Sequence, residues 1–334
     1  MPIKNSKSKK KKNPQKAKQR LPVVKTVHEK KSDKAKLLQR SYFIKLKTGD
    51  VLHLLRIYKD KAAPAVFMLH GSISNGRVFY SKGGKGLGPF LADAGYDVFI
   101  ADLRGKGQSY PPVSRLSSYG QTEAILEDIP AFLKKIKQLK KGHPAKYWVA
   151  HSWGGVLLAS YLARHPKEAR EIKAMVFFAV KRSVSVFNWD KFWHLDVLWH
   201  RVGPWLTHLW GYLPITTLRL GMDNEPKQFH QHIKQWAKPS PWIDPIDDFD
   251  YATEIQKVKL PPVLNLVGEG DTFMGHPSDV YNFMGEMGLS GQGYHILSRK
   301  NGNLHDYDHI SILTDPDAMK DHFPLLLEWI KSPS

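Results

Sequence analysis

The sequence predicts an α/β protein with a mostly parallel central sheet flanked by helices. Three observations predict it. Apolar runs such as 63–69 (APAVFML) and 96–101 (YDVFIA) are nearly continuous and bounded by Pro, Gly or charge, as expected of strands covered on both faces. Strand-like and helix-like stretches then alternate, which implies parallel strands joined by right-handed crossovers. Finally, seven of the ten tryptophans fall in residues 181–250, marking a distinct, mostly helical insertion.

Taken in order, SYFIKLKTG and VLHLLRIY are β-rich and separated by Thr48-Gly49-Asp50, so the region from residue 41 opens as a hairpin. The strand at 63–69 leads into a Gly-rich stretch that ends in a short helix at 89–94, before the strand at 96–101. After Ser118, residues Ile125, Ile129, Phe132, Leu133 and Ile136 recur at helical spacing until Gly142, which places an amphipathic helix on the sheet. A strand at 146–150 runs through HSWGG into VLLASYLARHP, a helix closed by His165-Pro166. A strand at 172–180 precedes the tryptophan-rich insertion (181–250). The rhythm returns with PVLNLV (262–267), a strand at 294–298, and a terminal helix from about Asp315-Pro316. The expected division is therefore a basic segment at 1–40, a core at 41–180, a cap at 181–250, and the rest of the core at 251–334.

Composition limits the chemistry. At 334 residues and 42% hydrophobic content the chain can bury a sizeable core. Its formal charge of +19 is unevenly spread: residues 1–40 hold 15 Lys or Arg against Glu29 and Asp33, a net of +13, leaving +6 for all that follows. Like charges packed so closely, with almost no apolar surface to bury, predict a disordered segment. It lacks the aromatics that would stack on bases, so the expected partner is a polyanion or an anionic membrane surface, held without specificity and released by salt. No early apolar stretch resembles a secretory signal and none approaches membrane-spanning length; the expectation is a cytoplasmic protein able to sit at the membrane periphery. The chain has no cysteine, which excludes disulfides, thiolate catalysis and cysteine-ligated metals.

The chemistry concentrates at Ala150-His151-Ser152-Trp153-Gly154-Gly155, between a strand and a helix. A serine on so tight a turn exposes its hydroxyl above the sheet, and the residues two before and two after it must be small. Ala150 and Gly154 meet that demand. A protonated hydroxyl needs a base, and among 16 histidines the choice rests on position. His309, in HDYDHISIL between the last strand and the terminal helix, lies where a loop returns to the carboxyl edge of the sheet; His305, four residues earlier, is the competitor. His151 reads as structural. His194, His200, His208, His230 and His232 lie in the insertion without metal-ligand spacing. Asp271, in GEGDTFMGHP just past a strand, is placed to orient the imidazole, with Glu269 the alternative. The order Ser, Asp, His suits this architecture. Backbone N–H groups of Ser72, after Leu69-His70-Gly71, and of Trp153 are the expected donors to a developing oxyanion. Asp102 to Ser109 (DLRGKGQS) reads as a structural turn that shapes the site.

Together HGS, DLRGKGQS, AHSWGG, VGEGD and YDHISIL, in that order, resemble the α/β-hydrolase superfamily across residues 41–334. WGYLPITTLRLGM followed by IKQWAKPSPWIDP resembles bacterial predicted hydrolases related to lipases and esterases, and the YDHISIL ending is similar to that of acid lipases, which supports His309. The resemblance implies the α/β-hydrolase fold with an eight-stranded core, a helical lid, and neither cofactor nor metal. It also implies a serine hydrolase acting on small-molecule carboxylic esters through an acyl-enzyme, the tryptophan-rich cap forming an apolar acyl pocket or serving as a lid with its own core. Serine in place of aspartate at position 152 disfavours haloalkane dehalogenase and epoxide hydrolase chemistry. The same residues would support thioester hydrolysis, peptidase action or acyl transfer. A catalytically silent fold that binds through its basic segment is the reading from another class.

Overall fold

The computed structural model describes residues 37–238, 241–289, 291 and 293–333. Eight strands form one sheet: β1 (Leu38–Lys45), β2 (Val51–Tyr58), β3 (Ala65–Leu69), β4 (Asp97–Asp102), β5 (Tyr147–His151), β6 (Ala174–Phe178), β7 (Val263–Gly268) and β8 (Tyr294–Leu297). Their order is β1-β2-β4-β3-β5-β6-β7-β8. The β1–β2 hairpin turns at Gly49, whose φ of 98° suits glycine. β2 meets β4 antiparallel, and every later pairing is parallel.

Among the described residues seven α-helices of seven residues or more accompany the sheet: α1 (Leu87–Asp93), α2 (Ile129–Leu139), α3 (Trp153–Arg164), α4 (Gly203–Trp210), α5 (Lys227–Trp236), α6 (Pro277–Glu286) and α7 (His322–Lys331). Side chains alternate across a strand, so β3 and β4 send Phe67, Leu69, Phe99 and Ala101 to one face, where α2 and α3 cover them. Val66, Met68, Val98 and Ile100 go to the other face, under α1 and α7. That double coverage explains the uninterrupted apolar runs, because neither face needs polar residues.

Some boundaries differ from the sequence reading. β1 begins at Leu38, inside the segment assigned to the basic tail, because residues 38–40 pair with Tyr58, Ile57 and Arg56 to the full length of β2. Residues 1–36, on which the expectation of disorder rests, lie outside the described residues. Asp315 caps only a 3₁₀ turn, Pro316–Met319, and the terminal helix starts at His322. The tryptophans of 181–250 divide into two environments. Trp236 and Trp242 are buried with Tyr251 in the core beneath α3, whereas Trp189, Trp193 and Trp205 are exposed. Within 181–250, Leu206, Leu213 and Ile215 form a small cluster of their own. No helix among the described residues is long and apolar enough to cross a membrane.

Candidate active site

The turn between β5 and α3 holds Ser152 at φ 52° and ψ −131°. A non-glycine residue rarely adopts a positive φ, and strain of this kind persists only where the surroundings enforce it. Here they do. The Ser152 N–H donates to Phe178 O at 2.9 Å, and the neighbouring glycines are wedged against other chain segments. A Cβ on Gly154 would lie 2.5 Å from His70 O, and one on Gly71 would lie 2.8 Å from the Ser152 Cβ. Both positions therefore exclude a side chain.

Asp271 follows β7, and its loop is joined to that of His309 by the bond from Gly270 N–H to Tyr307 O at 3.0 Å. His309 enters from the loop after β8. Its Nδ1 lies 2.5 Å from Asp271 Oδ2, and its Nε2 lies 2.9 Å from Ser152 Oγ. The carboxylate can only accept, so Nδ1 carries the proton and Nε2 accepts from the serine hydroxyl. Burial acts to raise the Asp271 carboxyl, but the His309 ring, the Gly275 N–H and the Lys181 ammonium together hold it below the usual carboxylate range. It stays ionised and keeps the imidazole in one tautomer.

The competing residues lie elsewhere. His305 Nε2 pairs with Asp317 Oδ2 at 2.9 Å on the surface, and Glu269 is exposed. His305, Asp315 and Asp317 have possible ligand atoms within 4.8 Å of one another, yet the His305–Asp317 hydrogen bond and the Asp315 cap on Asp317 N–H account for the cluster. His151 points away from the hydroxyl. Its Nε2–H donates to His309 O at 2.8 Å and its ring lies 4.8 Å from the His309 ring. Burial, aided by the adjacent His309, pushes His151 down to about 3 and keeps it neutral.

The N–H groups of Ser72 and Trp153 have no acceptor among the described residues, and both residues line a cavity that Ser152 also lines. This cavity measures about 160 Å³, and its walls include Leu198, Leu206, Leu213, Ile215, Ile233 and Met274. Lys181 is the one charged residue among its described lining, and burial pushes it down to about 8 against the pull of Asp279 and Asp271. DLRGKGQS acts as a brace: Asp102 accepts from Gly76 N–H at 2.7 Å and from Gln108 N–H at 3.0 Å.

A second chain of the same groups runs from Ser41 Oγ to His53 Nε2 at 2.9 Å and from His53 Nδ1 to Asp102 Oδ2 at 2.8 Å. Ser41 lies in the extended edge strand β1, so no helix N-terminus follows it and its backbone is tied into the hairpin. Sequence reasoning passed over this chain and over Lys181, because both depend on contacts between distant segments.

The alpha/beta hydrolase fold family matches residues 64–205. Human lipase member K is 28% identical over 159 residues, 43% of this chain and 39% of its own length. Rat bifunctional epoxide hydrolase 2 is 26% identical over 159 residues, 44% of this chain and 26% of its own length. The match thus spans well under half of either curated relative. A putative aryl esterase from Burkholderia cenocepacia shares the fold, with a TM-score of 0.55 at 16% identity, covering 87% of this chain and all of that one. The chain has the alpha/beta hydrolase fold, and its similarity to that family covers residues 64–205.

Proposed function

We propose that the protein is a serine hydrolase that cleaves small carboxylic esters through an acyl-enzyme. The observation that carries the proposal is the unbroken hydrogen-bonded chain from Ser152 Oγ through His309 to the buried Asp271, beside two N–H groups with no acceptor among the described residues. In the proposed reaction His309 Nε2 takes the Oγ proton as Oγ bonds to the ester carbonyl carbon. The carbonyl oxygen becomes an oxyanion held by the Ser72 and Trp153 N–H groups. The alkoxide leaves with the proton from His309, and the same base then activates a water that attacks the acyl-enzyme and frees the acid. Asp271 stabilises the imidazolium formed in each half.

The relatives include a lipase and an epoxide hydrolase by name. Serine at position 152 favours the ester reading, because its hydroxyl forms an acyl-enzyme that water can cleave. A cavity of about 160 Å³ walled by Leu and Ile is of the size that accepts a benzene-sized apolar group, so the ester carries a compact acyl or aryl group. The test is turnover of a p-nitrophenyl ester series from acetate to laurate, alongside thioester and epoxide substrates. The proposal expects a maximum at short to medium acyl esters. Epoxide opening without ester cleavage would overturn it.

A further inference from the structure

A buried ion pair joins 181–250 to the turn after β4, and its carboxylate also holds the loop that carries Ser72. Glu225 is fully buried, and its Oε2 accepts from the Ile73 N–H at 2.8 Å. Its Oε1 lies 3.0 Å from Lys106 Nζ, which is also buried and donates to Asn224 O at 2.6 Å. Removing two charges from water is expensive, and such a pair is weak evidence for stability on its own account. Burial raises the Glu225 carboxyl against the opposing pull of Lys106, a further sign that this site does not favour charge.

What the pair holds is unusual backbone. Ile73 has a φ of 49°, a rare state for a β-branched residue. Both of its peptide groups are taken by the same short segment: its N–H by Glu225, and its C=O by the Met222 N–H at 2.8 Å. Asp223 adds bonds to Asn75 Nδ2 at 2.7 Å and to the Gly107 N–H at 2.8 Å. Ser72 immediately precedes this clamped residue, and Gly71 before it packs directly on Ser152. The Asp223 N–H makes a longer bond to the same Ile73 C=O at 3.3 Å, and among the described residues no other hydrogen bond holds the Ile73 peptide.

We propose that Glu225 is a positioning residue that, by holding the Ile73 N–H, fixes the Ser72 N–H over Ser152, so that oxyanion stabilisation depends on residues 222–225 being seated on the core. This rests on the reading of Ser152 as nucleophile and the Ser72 N–H as oxyanion donor. Glu225 touches no substrate; it acts through Ile73. The role belongs to the transition state, so the loss should fall on kcat and leave KM alone.

The test compares two full-length variants that both lack the ion pair and differ in the acceptor offered to Ile73: K106M/E225Q, which keeps one, and K106M/E225M, which does not. K106M/E225Q should stay within about threefold of the wild type in kcat and in the rate of inactivation by a fluorophosphonate probe. K106M/E225M should lose about tenfold or more in both, with KM within about twofold, since a displaced oxyanion donor acts on the transition state. Equal kcat in the two variants, or a loss confined to KM, overturns the proposal. If K106M/E225M does not melt cooperatively, D223A carries the test, since it loosens the same segment at a half-buried position. There kcat should fall about threefold or more at constant KM, and unchanged kcat overturns the proposal. S152A, run beside them, separates the two ideas: turnover that survives in S152A sinks the nucleophile reading itself.

Discussion

Replacing Asp271 by Asn keeps the shape of the side chain and removes the charge that faces His309. In the proposed reaction the imidazole becomes an imidazolium 2.5 Å from that carboxylate, in a site where both side chains are nearly inaccessible to water. At an effective dielectric of about 20, unit charges 2.5 to 4 Å apart attract by about 7 to 4 kcal/mol. At about 1.4 kcal/mol per power of ten, that is roughly three to five powers of ten in rate. The amide also offers an N–H₂ as readily as an oxygen, so the imidazole tautomer is no longer fixed, a change that costs about 10⁴ in kcat where a serine–histidine–carboxylate chain operates. D271N should therefore lose about 10⁴ in kcat on p-nitrophenyl butyrate with KM little changed, while circular dichroism reports an intact fold. A loss below tenfold would refute the reasoning, and if E269Q then lost activity instead, the orienting carboxylate would be Glu269.

Acid should unfold the protein early. Burial holds His151 at about 3 and His230 at about 4, against an ordinary 6.5. The unfolded chain binds those protons first, so the stability these neutral rings contribute is complete above about pH 6.5 and is lost progressively as pH falls toward their folded values, up to about 3 kcal/mol apiece by pH 4. Melting temperature should be level above pH 7 and drop steadily from 6.5 to 4; a flat profile across that range contradicts the assignment. S41A should leave turnover and probe labelling unchanged, because Ser41 shares the hydrogen-bond chain of Ser152 without its turn; a tenfold loss in steady-state assays would count against the distinction drawn between them. The basic residues before Leu37 are proposed to attach the protein to an anionic surface at roughly 1 kcal/mol per charge near the membrane, weakening with salt. A chain starting at Leu37 should keep its esterase rate and lose binding to phosphatidylserine vesicles, whereas equal vesicle binding by both chains removes the proposal.

Much of the fold was legible because its signals are local. The apolar runs at 63–69 and 96–101 belong to strands buried on both faces, and the residues from Ile129 to Ile136 repeat at the period of a helix. Ser152 was legible for the same reason, since the small residues around it answer a steric demand made within six positions. His309 and Asp271 required the order of elements along the chain. What stayed hidden depends on distant segments meeting in space. Trp236 and Trp242 read as part of the cap, yet they complete the core beneath α3, and composition cannot tell those environments apart. The Glu225–Lys106 pair spans more than a hundred residues, and neither residue stands out in a chain with 50 Lys or Arg and 31 Asp or Glu. His151 reads as a neighbour of the serine, but its contact is with the backbone of His309.

The central claim, that Ser152 is the nucleophile, is tested most directly by reacting the full-length protein with a fluorophosphonate probe and mapping the modified residue by mass spectrometry, with S152A treated in parallel. The account predicts a single adduct on Ser152, stoichiometric loss of esterase activity with its formation, and no adduct on a folded S152A. Undiminished labelling of S152A, or an adduct mapped to Ser41, would contradict it.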